Sequence, residues 1–271
     1  MTVRLVLVGS GNMGYAMLAG WINSGKLGAA ETLVVEPNAD LRQRAAKLGC
    51  QTAADAGEIA ADAAPQMVVI AVKPQVIRAA TEAYARFGDG RTTFVSVAAG
   101  TPVATLEEVL GKRAPIMRCM PNTPAAIGKG MMVLFSNPLV SDETKRTVAD
   151  LLSASGKVAT ISDESLMDAV TAVSGSGPAY IFHFIEALTV AAEKAGLPTE
   201  TARLLAMQTV YGAASLAAES SDEPGELRRQ VTSLNGTTAA ALAVLMGEDR
   251  LTHLLTDAVE AARLRSVELG K

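Results

Sequence analysis

Apolar positions along the chain follow two rhythms that change over near Ile161. Up to that point short apolar runs alternate with helical patterns. The runs lie at residues 3–8, 32–36, 67–72, 93–97, 115–119, 131–135 and 157–161, rich in Val, Ile, Leu, Met or Thr and bounded by Gly, Pro or charge. Helical patterns fill the gaps at 13–24, 40–48, 75–86, 105–110 and 142–153. Strands apolar on both faces, with helices between them, predict a doubly wound parallel sheet, a Rossmann-like α/β domain. The last two strands can add at its edge in either direction.

Beyond Ile161 the strand rhythm stops. Helices are predicted over 164–174, 178–195, 199–219, 225–233, 238–246 and 250–269. Pro178 and Pro224 suit first-turn positions, and Gly196 ends one helix before Pro198 and Thr199 open the next. The expected division is a dinucleotide-binding domain over 1–162 and an all-helical domain over 163–271. The helices carry many small residues, as in 187–195, 207–218 and 237–244, and expose apolar surface on several faces. A homodimer built through this half is expected, against a monomer that buries the same surface internally.

Composition narrows this little. Nearly half the residues are apolar (49%), ample for a core. A net charge of −4 leaves no electrostatic footprint for nucleic acid or an anionic membrane. The longest apolar stretches are interrupted by Lys73, Glu186 or Gly247, and no basic segment precedes an apolar one at the start. Cys50 and Cys119 form no framework, and His183 and His253 are the only histidines. A cytoplasmic protein without a metal site is expected.

The first apolar run ends in Gly9, Ser10, Gly11, Asn12, Met13 and Gly14, a G-x-G-x-x-G spacing with a helical pattern directly after it. The first glycine permits a tight turn, the second lets backbone approach a pyrophosphate, and the third packs helix on strand. Amides of the helix start then face the anion. A plain turn is the alternative; the strand-to-helix placement favours a dinucleotide. Glu36, at the end of the second strand, fits the acid that binds adenosine ribose hydroxyls, or else a surface acid before Pro37. Arg42 and Arg44 remain able to take a phosphate, which leaves NADP or NAD open.

Other candidates fall at strand ends, where open α/β sheets bind ligands. Ala71, Val72, Lys73 and Pro74 follow the third strand, with Lys73 a cation beside phosphates or a solvated loop lysine. Val97, Ala98 and Ala99 follow the fourth, and Asn122, in Met120-Pro121-Asn122-Thr123-Pro124, the fifth. In the helical half, residues 174–180 hold two glycines flanked by serines before Pro178 and Tyr180. Val231 to Thr238 join two helices: Asn235-Gly236 suits positive φ, and the helix that follows opens with two hydroxyls and free amides, a place for a small carboxylate. N-capping by Thr237 or Thr238 is the competing account. No Ser/His/Asp elbow, paired carboxylates or H-E-x-x-H is present, and His183 reads as a helix histidine rather than a base.

Taken together, Gly9 to Gly14, Ala71-Val72-Lys73-Pro74, Met120 to Pro124, Ser174 to Tyr180 and Gly236-Thr237-Thr238 resemble pyrroline-5-carboxylate reductases, in order and nearly end to end. The resemblance implies a Rossmann domain, a helical dimerisation domain, often a ring of dimers, and reduction of 1-pyrroline-5-carboxylate to proline by NADPH or NADH. It also implies cofactor contacts at Gly9 to Gly14, Glu36, Asn38, Ala71 to Pro74, Val97 to Ala99 and Asn122. Substrate contacts are implied at Gly236, Thr237 and Thr238, supported by Glu164 and Ser233, with Thr238 catalytic; Gln230 stands where some relatives carry another polar residue. The family's Ser-Pro-Gly-Gly reads Ser233-Leu234-Asn235-Gly236 here, which loosens the loop. Glu36 stands where NADP-using relatives tend to have a small hydroxyl residue. Two other readings stand beside this one, a reductase of a different cyclic imine and a non-catalytic dinucleotide-binding protein. A β-hydroxyacid dehydrogenase is disfavoured, since the first long helix of the helical half reaches no lysine until Lys194.

Overall fold

The computed structural model describes residues 3–270. Eight strands form one sheet: β1 (Leu5–Val8), β2 (Thr32–Val35), β3 (Gln51–Ala53), β4 (Met67–Ile70), β5 (Thr93–Ser96), β6 (Ile116–Met120), β7 (Gly130–Ser136) and β8 (Gly156–Thr160). Their order is β3-β2-β1-β4-β5-β6-β7-β8. All neighbours run parallel except β6 and β7, which pair antiparallel, while β8 is parallel to β7. The seven expected strands are therefore present, and the last two, β7 and β8, both run against the other six.

Period-two alternation sorts the strand residues onto two cores. Leu5 and Leu7 join Val34, Val69, Val95 and Met117 on one face, beneath Met17, Leu18 and Trp21. Val6 and Val8 join Val35, Val68, Ile70 and Phe94 on the other, with Leu106 and Ile116. Burial on both faces is why these strands read as unbroken apolar runs. Ile116 is fully buried, so Ile116→Val should cost about 1 kcal/mol in urea-induced unfolding.

The covering helices are α1 (Asn12–Asn23), α2 (Ala39–Ala46), α3 (Ile77–Glu82), α4 (Val103–Leu110) and α5 (Asp142–Ser153). Local chemistry sets their starts. Ser141 caps α5 by accepting from the Thr144 amide at 3.1 Å, and Asp142 and Glu143 sit at its positive end. Asn38 caps α2 through the amides of Asp40 and Leu41. Strand β3 goes unseen in the sequence because three residues, two of them polar, carry no apolar run; it pairs with β2 at the sheet edge. The helix expected over 75–86 is broken into short 3-10 turns on either side of α3.

After β8 the chain passes through a 3-10 turn (Glu164–Leu166), α6 (Met167–Val170) and a wide π turn (Thr171–Gly175). Long helices follow: α7 (Gly177–Lys194), α8 (Thr199–Glu219), α9 (Pro224–Gln230), α10 (Thr237–Met246) and α11 (Arg250–Leu269). Two compact units result. One runs to Ser176 and takes back the chain from Ala262, and the other is Gly177–Ala261. The sequence places its division at residue 162, where the strands end. Residues 164–175 are helical yet lie in the first unit, with Met167 and Ala172 buried there.

Within the second unit α7 and α8 pack as a hairpin closed at Gly196, whose φ is +100°. Its buried apolar residues are few, Ala202 and Ala206 among them. Large apolar side chains stand exposed along the helices of this unit, including Phe182, Phe184, Leu204, Met207, Val244 and Leu254. Apolar surface on this scale marks an interface. No helix among the described residues is long and apolar enough to cross a membrane.

Candidate active site

In the first unit, the carboxyl ends of β1, β2 and β4 border a cleft of about 450 Å3. Gly9, at φ +90°, closes the turn after β1, and a Cβ there would lie 2.7 Å from the Ala71 carbonyl oxygen. A Cβ on Gly14 would run into the Gly9 carbonyl oxygen. Gly11 differs: within 4 Å of its Cβ position there is nothing. The first and third glycines are thus demanded by the protein's own packing, and the second faces open space. Beside it α1 begins with no side-chain cap and no acid in its first turn. Amides of Asn12, Met13 and Gly14 stand at that positive end, a cradle that fits a pyrophosphate.

Glu36 lines the cleft and is nearly buried, at 6% exposure. One carboxylate oxygen accepts from the Ser10 amide at 2.7 Å and the other from the Asn38 amide at 2.9 Å. It therefore ties the glycine turn to the β2–α2 turn. Arg42 donates to the Glu36 and Pro37 carbonyls at 2.7 and 3.0 Å. Arg44 donates to the Ser10 carbonyl at 2.9 Å and lies over the Tyr15 ring at 3.9 Å. Both arginines brace the turn with main-chain bonds. The Ser10 hydroxyl and Arg44 Nε are buried without a partner, polar groups beside the cradle that a ligand can satisfy.

Ala71, Val72 and Lys73 line the cleft, and Pro74 opens the 3-10 turn after them. Ala54, Asp55, Ala56, Ala79, Ala80 and Tyr84 also line the cleft. None of these carries a motif; the one available signal is the run of alanines on α3 and after it. Val97, Ala98 and Ala99 lie at the same sheet edge, outside the cleft lining, with the Val97 amide on the Ile70 carbonyl at 3.0 Å. Two asparagines are committed to the scaffold. Asn38 caps α2, and Asn122 donates to the Ser174 carbonyl at 3.0 Å while accepting from the Met131 amide at 2.8 Å. Cys119, beneath that loop, is buried, and burial pushes its thiol up to about 12.

Glu164 also belongs to the first unit. One of its oxygens accepts both the Val103 amide at 2.7 Å and Arg118 Nη1 at 2.8 Å.

In the second unit Asn235 takes φ +57°, as expected, whereas Gly236 is extended at φ −79°. Gly236 is itself the cap residue of α10, and no side chain caps the helix. The capping account of Thr237 and Thr238 therefore does not hold here. Space at 236 is tight, since a Cβ would meet the Ser233 hydroxyl and lie 3.2 Å from the Ser233 carbonyl oxygen. The helix has no acid in its first turn and two threonine hydroxyls in it. Leu234, in place of the usual proline, is 91% exposed. Gln230 donates to Asp222 at 2.9 Å, and His183 pairs with Glu186 on an exposed face.

The chain is similar to known proteins over its whole length. The family model for pyrroline-5-carboxylate reductase dimerisation matches residues 164–269, and that for NADP oxidoreductase, coenzyme F420-dependent, residues 4–100. A pyrroline-5-carboxylate reductase of Pseudomonas aeruginosa is 43% identical over 100% of this chain and 98% of its own. The solved structure of a pyrroline-5-carboxylate reductase from Coxiella burnetii covers 100% of both chains at 36% identity with a TM-score of 0.92. That of the Plasmodium falciparum enzyme with NADP bound is 28% identical, with a TM-score of 0.84 over 99% of this chain and 98% of that one.

Proposed function

This chain belongs to the pyrroline-5-carboxylate reductase family, and on that footing we propose which residues carry its reaction. It reduces 1-pyrroline-5-carboxylate to L-proline with a hydride from NAD(P)H, the last step of proline biosynthesis. The bound dinucleotide supplies that hydride. The turn from Gly9 to Gly14 takes its pyrophosphate, with Lys73 as a neighbouring cation, and Glu36 reads the adenosine ribose. Val97, Ala98 and Ala99 receive the nicotinamide end. Asn38 and Asn122 serve the site through the turns they hold.

For the substrate, the amides of Gly236, Thr237 and Thr238 take the carboxylate and the Thr238 hydroxyl takes the ring nitrogen. The uncapped start of α10, with its two hydroxyls, carries this assignment. Ser233 keeps the loop in shape against Gly236. A protonated imine accepts hydride without a base, so positioning is the main task left to the side chains. Self-association through the second unit, expected from its exposed apolar helices, accords with the dimerisation model. A ring of such dimers and a cytoplasmic setting complete the proposal; buried unpaired thiols at Cys50 and Cys119 suit a reducing compartment.

The test is steady-state reduction of 1-pyrroline-5-carboxylate, with NADPH and NADH assayed separately. Thr238→Ala should lower kcat/KM about tenfold, the worth of one hydrogen bond to a charged group, and leave cofactor Kd and Tm unchanged. Unchanged turnover would take Thr238 out of the mechanism.

A further inference from the structure

The loop of residues 97–100 is made of small side chains, anchored at its start by the Val97 amide on the Ile70 carbonyl and by buried Ala98. Further support comes from the other end of the chain. Gly100 sits at φ +71°, and a Cβ there would lie 3.1 Å from both the Leu269 Cβ and the Ser266 carbonyl oxygen. A Cβ on Gly270 would lie 2.5 Å from the Gly100 carbonyl oxygen. The last turn of α11 is thus packed directly on the loop backbone, which explains why the chain from Ala262 onward counts with the first unit.

A hydrogen bond helps to hold that turn in place. Ser266 is buried at 3% exposure, and its hydroxyl donates to Asp168 Oδ1 at 2.6 Å. Asp168 lies on α6, one turn beyond Glu164. Glu164 in turn grips the Val103 amide at the start of α4, where the loop ends. Two carboxylates from one short helical stretch therefore brace the loop, Asp168 through the C-terminal turn and Glu164 at its exit. Bonds of a hydroxyl or amide to a carboxylate in such settings are among the stronger neutral-to-charged contacts.

We infer that Ser266 and Asp168 are positioning residues for hydride transfer, holding the loop of residues 97–100 in the shape that receives the nicotinamide end. This rests on the assignment of Val97, Ala98 and Ala99 to the cofactor. Ser266→Ala and Asp168→Ala in the full chain should each raise KM for NADPH and NADH threefold to tenfold. KM for 1-pyrroline-5-carboxylate at saturating cofactor should stay within twofold. The double variant should be no worse than either single one, and Asp168→Asn, which keeps an acceptor for the Ser266 hydroxyl, should restore near-native values. Ala99→Leu tests the underlying assignment separately, by cofactor Kd. If Ala99→Leu leaves Kd unchanged, the loop does not meet the cofactor and the assignment falls. If it weakens binding while Ser266→Ala and Asp168→Ala lower only Tm and leave cofactor KM unchanged, the positioning role alone is overturned.

Discussion

Gly11→Val is expected to yield a folded protein that no longer binds NADPH or NADH usefully, with Kd raised at least about a hundredfold, equivalent to about 3 kcal/mol. The two halves of this prediction come from one observation. Gly11 has φ −62° and ψ −169°, a conformation open to valine, and nothing lies within 4 Å of its Cβ position. The protein itself therefore has no objection to a side chain there, beyond about 1 kcal/mol for a poorer residue at the start of α1. The objection is the ligand's, because an isopropyl group would fill the space that the proposed site gives to the pyrophosphate beside the α1 amides. Gly14→Val makes the contrast. Its Cβ would be driven into the Gly9 carbonyl oxygen, so folding should fail before binding can be measured. Circular dichroism and Tm report the first half, and cofactor titration the second. Native Kd in Gly11→Val would remove the turn from the cofactor site.

The contrast between Gly11 and Gly14 also shows where sequence reading stops. The G-x-G-x-x-G spacing is legible because strand, turn and helix impose it locally, and the strands are legible because burial on both faces demands continuous apolar runs. Glu36 is legible as an acid at a strand end. Its two amide partners are not, since Ser10 lies in another element and only the fold brings it to 2.7 Å. Asn122 gives the same lesson: its motif marks a loop, but its amide is spent on Met131 and Ser174, which no spacing rule connects to it. The segment 164–174 reads as helix and is helical, yet which unit it packs in depends on contacts such as buried Met167. Ser266 lies in the last turn of the chain and carries no motif at all. At α10 the sequence correctly marks Asn235 for positive φ, while the crowding of position 236 by Ser233 comes from the folded loop and leaves no mark in the spacing.

Replacing Glu36 should change which cofactor the enzyme uses. Its carboxylate lines the cleft and is fixed by two main-chain amides, so it cannot swing away from an incoming ribose. In the proposed site a carboxylate held there accepts hydrogen bonds from ribose hydroxyls and repels a 2′-phosphate. In Glu36→Ser that repulsion is gone, and Arg42, braced on the Glu36 and Pro37 carbonyls, is the nearby cation for the phosphate. The ratio of kcat/KM for NADPH to that for NADH should rise about thirtyfold to a hundredfold, or about 2–3 kcal/mol of discrimination. The variant also strands the Ser10 and Asn38 amides, at a cost of about 1–3 kcal/mol in stability. Glu36→Gln separates the two effects, because it removes the charge and still offers one acceptor to the turn. If charge governs selection, Glu36→Gln shifts the ratio nearly as far as Glu36→Ser with a smaller fall in Tm. If the carboxylate matters only as a brace, both cofactors lose kcat/KM together and the ratio stays where it was, which would take Glu36 out of cofactor selection and leave it as a support of the glycine turn.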